Sequence, residues 1–160
     1  MGNVTKITWC DHTFNPWIGC TKASDGCKFC YAETYGRRFD VQWGPQGVRR
    51  RTSASNWRNP AQWDKELWEE CVQCRWRGSV RHLKHVTTSF VYSCPQCGGP
   101  TTATRQRVFC ASLADVFEDN AQLVNWRLHL WALIDRCQSL IGSYSQSDLR
   151  ISYGWFPGVG

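Results

Sequence analysis

The apolar residues of the chain come in short blocks whose spacing changes from one block to the next. Thr13 to Ile18 is short and apolar enough for a strand, and Tyr31 to Phe39 reads as the helix that follows it. A loop rich in Gly, Arg and Ser runs from Trp43 to Ser55. Beyond it, Asn59 and Pro60 form an N-cap and first-turn pair, which predicts a helix with Trp63 and Leu67 on one face running into Cys71. Val108 to Ala111 has a β-branched and aromatic start and predicts a buried strand, with Asp115 just past its end. Over residues 121–138, Leu123, Trp126, Leu130, Leu133, Ile134 and Cys137 fall on one helical stripe. Strand, helix, strand, helix predicts an α/β barrel or half barrel, a fold in which chemistry gathers at the C-terminal ends of strands.

Composition adds the size of the core. With 160 residues, 42% of them hydrophobic, the chain is long enough for one ordinary domain. A domain of that length buries roughly 70% of its unfolded surface and need not rely on disulfides. There is no run of about 18 apolar residues, and no basic start followed by an apolar stretch, so neither a membrane span nor a secretory signal is expected. The expected location is cytoplasmic. In that reducing compartment ten cysteines at short spacings read as metal ligands rather than as disulfides.

Two of the cysteine groups are CxxC pairs, Cys71-Val-Gln-Cys74 and Cys94-Pro-Gln-Cys97, separated by 19 residues. That is the spacing of a structural zinc ribbon, with Gly98 and Gly99 allowing the tight backbone after the second pair. The net charge of +6 is concentrated here: Arg75, Arg77, Arg81, Lys84, Arg105 and Arg107 lie between Cys71 and Arg107 without an Asp or Glu among them. The ribbon reads either as a metal-held insertion alone or as a nucleic-acid contact through Arg75, Arg77, Arg81 and Lys84, with Trp76, Phe90 and Tyr92 as stacking surfaces. His82 and His85 are expected on the surface, since four cysteines already complete the site. Cys110 and Cys137 read as small core hydrophobes, and Arg49 to Arg51 as a solvated loop or a phosphate contact.

The third group, Cys20, Cys27 and Cys30 in GCTKASDGCKFCYAE, has three members where a closed zinc site needs four. Three thiolates leave one coordination position free, as in a [4Fe-4S] cluster with one iron open to an exogenous ligand. A zinc site completed by Cys10 or His12 is the second reading. Cys27-Lys28-Phe29-Cys30 resembles the end of the C-x3-C-x-aromatic-C loop of radical S-adenosylmethionine enzymes, with Phe29 in the aromatic slot and a first gap longer by three residues. TKITWCDHTFNPWIGCTKASDGCKFCYAE, GPQGVRRRTSASNW and RVFCASLADVFEDN together resemble the phage-associated Gp37/Gp68 group of uncharacterised three-cysteine proteins, regarded as related to those enzymes.

The resemblance implies a partial radical-SAM-like β/α barrel with an inserted zinc ribbon, encoded by a phage or its bacterial host. It further implies that Cys20, Cys27 and Cys30 hold the cluster and that reductive cleavage of S-adenosylmethionine yields a 5′-deoxyadenosyl radical acting on a substrate the sequence does not identify. Phe29, Ser112 and Asp115 are candidates for cofactor or substrate contacts, with helix capping as the alternative for the last two. A glycine-rich GGE cofactor strand is absent. The competing class is a non-catalytic zinc-ribbon nucleic-acid-binding protein in which the first loop is a second zinc site.

Residues 1–69 are thus expected to form the first part of the barrel, 70–106 the ribbon, and 107–140 its continuing strand and helix. Residues 141–160 have no period and depart from the group, whose members continue with a strand resembling DWLLLTKRPENI. Permissible codons for the tail, beginning at Leu140 and read from the third base, give DWLLLTKRPENILRMVPW. The expectation is a frameshift near codon 140 that leaves an out-of-frame, poorly ordered tail and an incomplete barrel.

Overall fold

The computed structural model describes residues 5–85, 92–145 and 150–153. Strands β1 (His12–Phe14) and β2 (Trp17–Ile18) come first, then helix α1 (Tyr31–Gly36), strand β3 (Arg50–Arg51) and helix α2 (Ala54–Trp63). Strands β4 (Trp68–Cys71), β5 (Arg77–Ser79), β6 (Lys84–His85), β7 (Tyr92–Ser93) and β8 (Thr101–Thr104) carry the two CxxC pairs. Strand β9 (Gln106–Cys110), helix α3 (Val124–Arg136) and strands β10 (Leu140–Ser145) and β11 (Arg150–Tyr153) complete the order.

The main sheet has the order β1-β9-β10-β11, with β1, β9 and β10 parallel and β11 antiparallel. Each parallel step is bridged by helix, α2 before β9 and α3 before β10, as parallel strands require. Along β9, Gln106, Val108 and Cys110 are buried while Arg107 and Phe109 are only half-buried. The buried row meets α2 and α3 in a core containing Phe14, Trp17, Trp63, Leu123, Leu130, Leu133 and Leu140, with Cys110 and Cys137 inside it. The class is mixed α/β, as expected, but among the described residues the sheet does not close into a barrel.

Two expected elements differ. The strand expected over Thr13–Ile18 is interrupted at Asn15–Pro16, because proline cannot donate to a ladder and the Asn15 carbonyl accepts from Thr52 Oγ1 (2.7 Å) and Asn56 Nδ2 (2.9 Å) instead. The resulting β2 leaves the main sheet and pairs with β3. Helix α2 starts five residues ahead of Asn59, capped by Ser53, whose hydroxyl accepts from the Asn56 amide. Pro60 lies inside the helix, which stops at Trp63; Trp68–Cys71 is strand, because it supplies the central ladder of the ribbon sheet. Within the tail expected to be out-of-frame and poorly ordered, residues 141–145 and 150–153 are strand and pair in the main sheet, a main-chain interaction open to any non-proline sequence. The remaining tail residues, 146–149 and 154–160, lie outside the described residues.

Candidate functional site

The ribbon is a three-stranded antiparallel sheet, β5-β4-β8, with one cysteine pair in the β4–β5 turn and the other in the turn between β7 and β8. The two turns repeat one hydrogen-bond pattern. Arg75 N–H donates to Cys71 O (3.0 Å) and Cys71 N–H to Trp76 O (2.8 Å); likewise Gly98 N–H donates to Cys94 O (2.9 Å) and Cys94 N–H to Gly99 O (2.9 Å). Each turn needs a left-handed residue after its second cysteine: Gly98 at φ 76° in one and Arg75 at φ 60° in the other. The turns bring the four sulfurs within 4.8 Å of one another, with Cys71 Sγ and Cys97 Sγ 3.5 Å apart and Cys74 Sγ and Cys94 Sγ 3.6 Å apart. Tetrahedral thiolates at about 2.3 Å from one ion stand about 3.8 Å from each other, so the four can hold a metal ion. Backbone N–H groups of Cys74 and Gln73 at Cys71 Sγ draw that thiol down to about 6.

Three of the ribbon's arginines, Arg75, Arg77 and Arg81, are answered by carboxylates, while Arg105 is exposed and its carbonyl accepts from Arg77. Arg77 is only 13% exposed and joins Glu70 on β4 to Asp11 ahead of β1; Arg75 pairs with Glu70 at 2.7 Å and Arg81 with Glu66 at 3.8 Å. Asp11 also accepts from the Arg107 amide (2.7 Å) and guanidinium, so it ties the ribbon to β9. Burial alone would raise the Asp11 carboxyl; Arg77 and Arg107 hold it below its ordinary value. The signal for this in the sequence was Glu66, Glu69 and Glu70, just upstream of the acid-free window. Lys84 lies on β6 and His82 is exposed; Trp76 packs over Gly78, while Phe90 and the side chains of His85 and Tyr92 lie outside the described residues.

At the C-terminal ends of β1 and β9 the chain builds a second site. Gly19, at φ 111°, donates to Leu113 O (3.0 Å) and sets Cys20 beside the segment that leaves β9; a Cβ on it would meet Val41 and Arg49 at 3.0–3.1 Å. Ala111, at φ 59°, turns that segment, and Asn15 holds it by accepting from the Leu113 amide (2.8 Å) and bonding the Ser112 hydroxyl (2.9 Å). Cys27 ends a 3₁₀ turn, and Cys30 occupies the residue before α1. Below the loop Ile18, Ala32, Val41 and Leu113 form a small core of their own.

The outcome is one cavity of about 70 Å³ whose lining includes Cys20, Cys27, Cys30, Ser112 and Asp115, with Trp43 among its walls. Phe29 is not part of it and is 89% exposed. Neither Ser112 nor Asp115 caps a helix: Asp115 accepts from the Phe117 amide (2.8 Å), and the turn before α3 is capped by Asn120. Cys10 and His12 do not line the cavity either. The Cys10 thiol is buried against Phe109 and Thr13, and His12 stacks on Trp63 at 4.2 Å with Nε2 bonded to Gln106 Oε1. Among the described residues, the three sulfurs do not converge tightly enough to form a single-ion set as the ribbon sulfurs do. Burial, reinforced by Glu118 and Asp115, pushes the Cys20 thiol up to about 12, and burial also raises the Asp115 carboxyl.

Behind Cys20 lies a clamp that the sequence reading missed. Arg49 is fully buried: Nε donates to Glu118 Oε2 (2.9 Å), Nη2 to Thr21 Oγ1 (2.7 Å) and to Glu118 Oε1, and Nη1 to Gly44 O and Gly47 O. Gln122 brackets its backbone from both sides, and Gly44 N–H donates to Cys20 O (2.9 Å). It is therefore neither solvated nor free for phosphate. Arg50 reaches back to Phe39 O, and Arg51 lies over the Trp57 ring at 4.2 Å.

A family model matches residues 4–141, most of the chain. The protein belongs to DUF5131, a family of unknown function. No curated protein and no solved structure matches it. The DUF5131 match includes both cysteine sites, the Arg49 clamp and the sheet up to the start of β10. None of the described helices is long and apolar enough to cross a membrane.

Proposed function

We propose that the protein is an iron–sulfur protein related to the radical S-adenosylmethionine enzymes, with Cys20, Cys27 and Cys30 as cluster ligands and a separate structural zinc in the ribbon. The observation that carries this reading is the shared cavity: three cysteines from one loop face it together with Ser112 and Asp115, at the C-terminal ends of parallel strands. The donor set fits a cluster better than a single ion. Cluster thiolates bind separate irons and so stand farther apart than four thiolates around one metal, and Cys10 and His12, the residues that could complete a zinc site, do not line the cavity. A [4Fe-4S] cluster held this way supplies an iron open to S-adenosylmethionine and the electron for its reductive cleavage.

The remaining roles belong to the chain itself. The small core under the loop and the Arg49–Glu118 clamp fix Cys20 against the end of β9. Trp43 and Ala114 narrow the cavity and limit water, while Ser112 and Asp115 offer polar contacts to cofactor or substrate. In the ribbon the metal replaces a core: zinc bound to four thiolates contributes on the order of 10 kcal/mol. The frame beyond Leu140 is part of the same proposal, supported by the end of the family match at residue 141; resequencing that finds no family-like continuation in the offset frame refutes it.

The deciding experiment is anaerobic purification with iron, acid-labile sulfide and zinc quantified, together with EPR of the reduced protein. About four irons and one zinc per chain support the proposal. Two zinc ions without iron would refute it and support the non-catalytic reading, in which the first loop is a second zinc site.

A further inference from the structure

Only part of the positive charge in the sequence window stays unpaired: Lys84 and Arg105 are exposed and without a carboxylate partner among the described residues. The ribbon arginines Arg75, Arg77 and Arg81, and Arg107 at its border with β9, are each paired with Asp11, Glu66 or Glu70. Between α2 and α3, by contrast, runs an open groove of about 420 Å³ lined by Arg51, Arg58, Arg136 and His129, with no Asp or Glu among its residues. Among the described residues none of those three arginines is ion-paired with a carboxylate. An unanswered set of guanidiniums around one concavity raises the local concentration of anions.

The groove is shaped as well as charged. His129, Ala132 or Leu133, and Arg136 recur at helical spacing along one face of α3, and Ala54 and Arg58 do so on α2. Of the lining residues Leu133 is buried, while Ala54, Ala132, His129 and the three arginines are exposed. Trp57 lines the groove with its indole N–H fixed to Pro16 O (3.1 Å), and Arg51 lies over its ring. Planar guanidinium forks match phosphate oxygens two at a time, and the Arg51 fork is held over the anchored Trp57 ring. The volume lies within the range that takes a ligand of nucleotide size.

We propose that the α2–α3 groove binds the phosphodiester backbone of single-stranded nucleic acid. This site is distinct from the cysteine cavity and from the ribbon, and it does not depend on what metal either one holds.

The test is fluorescence anisotropy of the full metal-loaded chain with fluorescein-labelled single-stranded DNA and RNA of about fifteen nucleotides, over a salt series. Wild type is expected to bind with an affinity that falls steeply with salt. Arg58→Gln combined with Arg136→Gln is expected to weaken binding about tenfold and to lower the log–log salt slope by roughly 1.4, two phosphate contacts at about 0.7 each. Its melting temperature should match wild type, since neither side chain is ion-paired. Arg81→Gln with Lys84→Gln on the ribbon should leave affinity within about twofold. The proposal is overturned if neither strand binds, if the groove variant keeps wild-type affinity and slope, if the ribbon variant carries the loss instead, or if polyglutamate of equal charge displaces the strand as well as unlabelled nucleic acid does.

Discussion

Removing the Glu118 carboxylate tests whether the cysteine loop is held from behind. The Arg49 guanidinium directs every donor nitrogen at an acceptor: both oxygens of Glu118, the Thr21 hydroxyl, and the Gly44 and Gly47 carbonyls. Glu118→Ala leaves a fully buried cation with two of those contacts missing and no countercharge, a change that costs about 3–5 kcal/mol. For a chain of this length each kcal/mol lowers the melting temperature by about 2–4 °C, so the expected drop is on the order of 10 °C. Glu118→Gln keeps one acceptor and should fall between the two. Replacing both partners, Arg49→Met with Glu118→Leu, should recover much of the loss, because no charge is then stranded. Thermal unfolding by circular dichroism measures the stability, and mass-spectrometric mapping of alkylated thiols measures the loop: Cys20 should be labelled faster in Glu118→Ala while Cys110 and Cys137, in the main core, change little. A Glu118→Ala protein within about 1 kcal/mol of wild type, with unchanged labelling at Cys20, refutes the clamp.

Four other substitutions test the geometry elsewhere in the chain. Gly47→Ala should destabilise by about 3 kcal/mol in urea unfolding, since its Cβ would fall 2.0 Å from the Gln42 carbonyl oxygen and the backbone would have to move. In the ribbon, Gly98→Val should cost about 1–2 kcal/mol and weaken metal retention against a chelator, whereas Arg75→Gly should gain roughly 0.5 kcal/mol by relieving a left-handed arginine at the expense of an exposed ion pair. Asp11→Asn should lower stability at pH 7 by about 3 kcal/mol. Because the Asp11 carboxyl is held below its ordinary value in the folded chain, its contribution is fully present above about pH 4 and is lost as pH falls through the lowered value. Urea titrations of the two proteins should therefore converge as pH falls through that lowered value, and a gap that does not narrow with falling pH contradicts the assignment.

What could be read from the chain in advance was whatever depends on local spacing. The CxxC pairs, the apolar stripe of α3 and the strand ending before Ser112 are set by residues close in sequence, and the structure places them in a four-sulfur cluster, a core-facing helix and the edge of a cavity. The helix start at Ser53 was missed because Asn59-Pro60 offers an equally good local start signal; the choice is made by Asn56, which caps with Ser53 and also reaches the Asn15 carbonyl across 41 positions. Arg49 was missed for a related reason. In a run of three arginines nothing distinguishes the one that meets a carboxylate 69 positions away, and only the meeting of β2, β3 and the segment after β9 singles it out.

Charge shows the same rule most sharply, since a sum over a window of sequence omits whatever carboxylates lie just outside it. Counting from Cys71 excluded Glu66 and Glu70 by a few residues, and excluded Asp11 by the whole of the N-terminal part of the chain, yet those three acids neutralise the arginines that made the ribbon look like a nucleic-acid surface. Arg51, Arg58 and Arg136 carry no such signal, because 85 positions separate the first from the last, and they come to share a groove only when α2 and α3 pack side by side on the sheet. The cationic groove among the described residues is therefore a product of helix packing. A partner that responds to charge should be sensitive to substitutions on α2 and α3 and nearly indifferent to those on the ribbon.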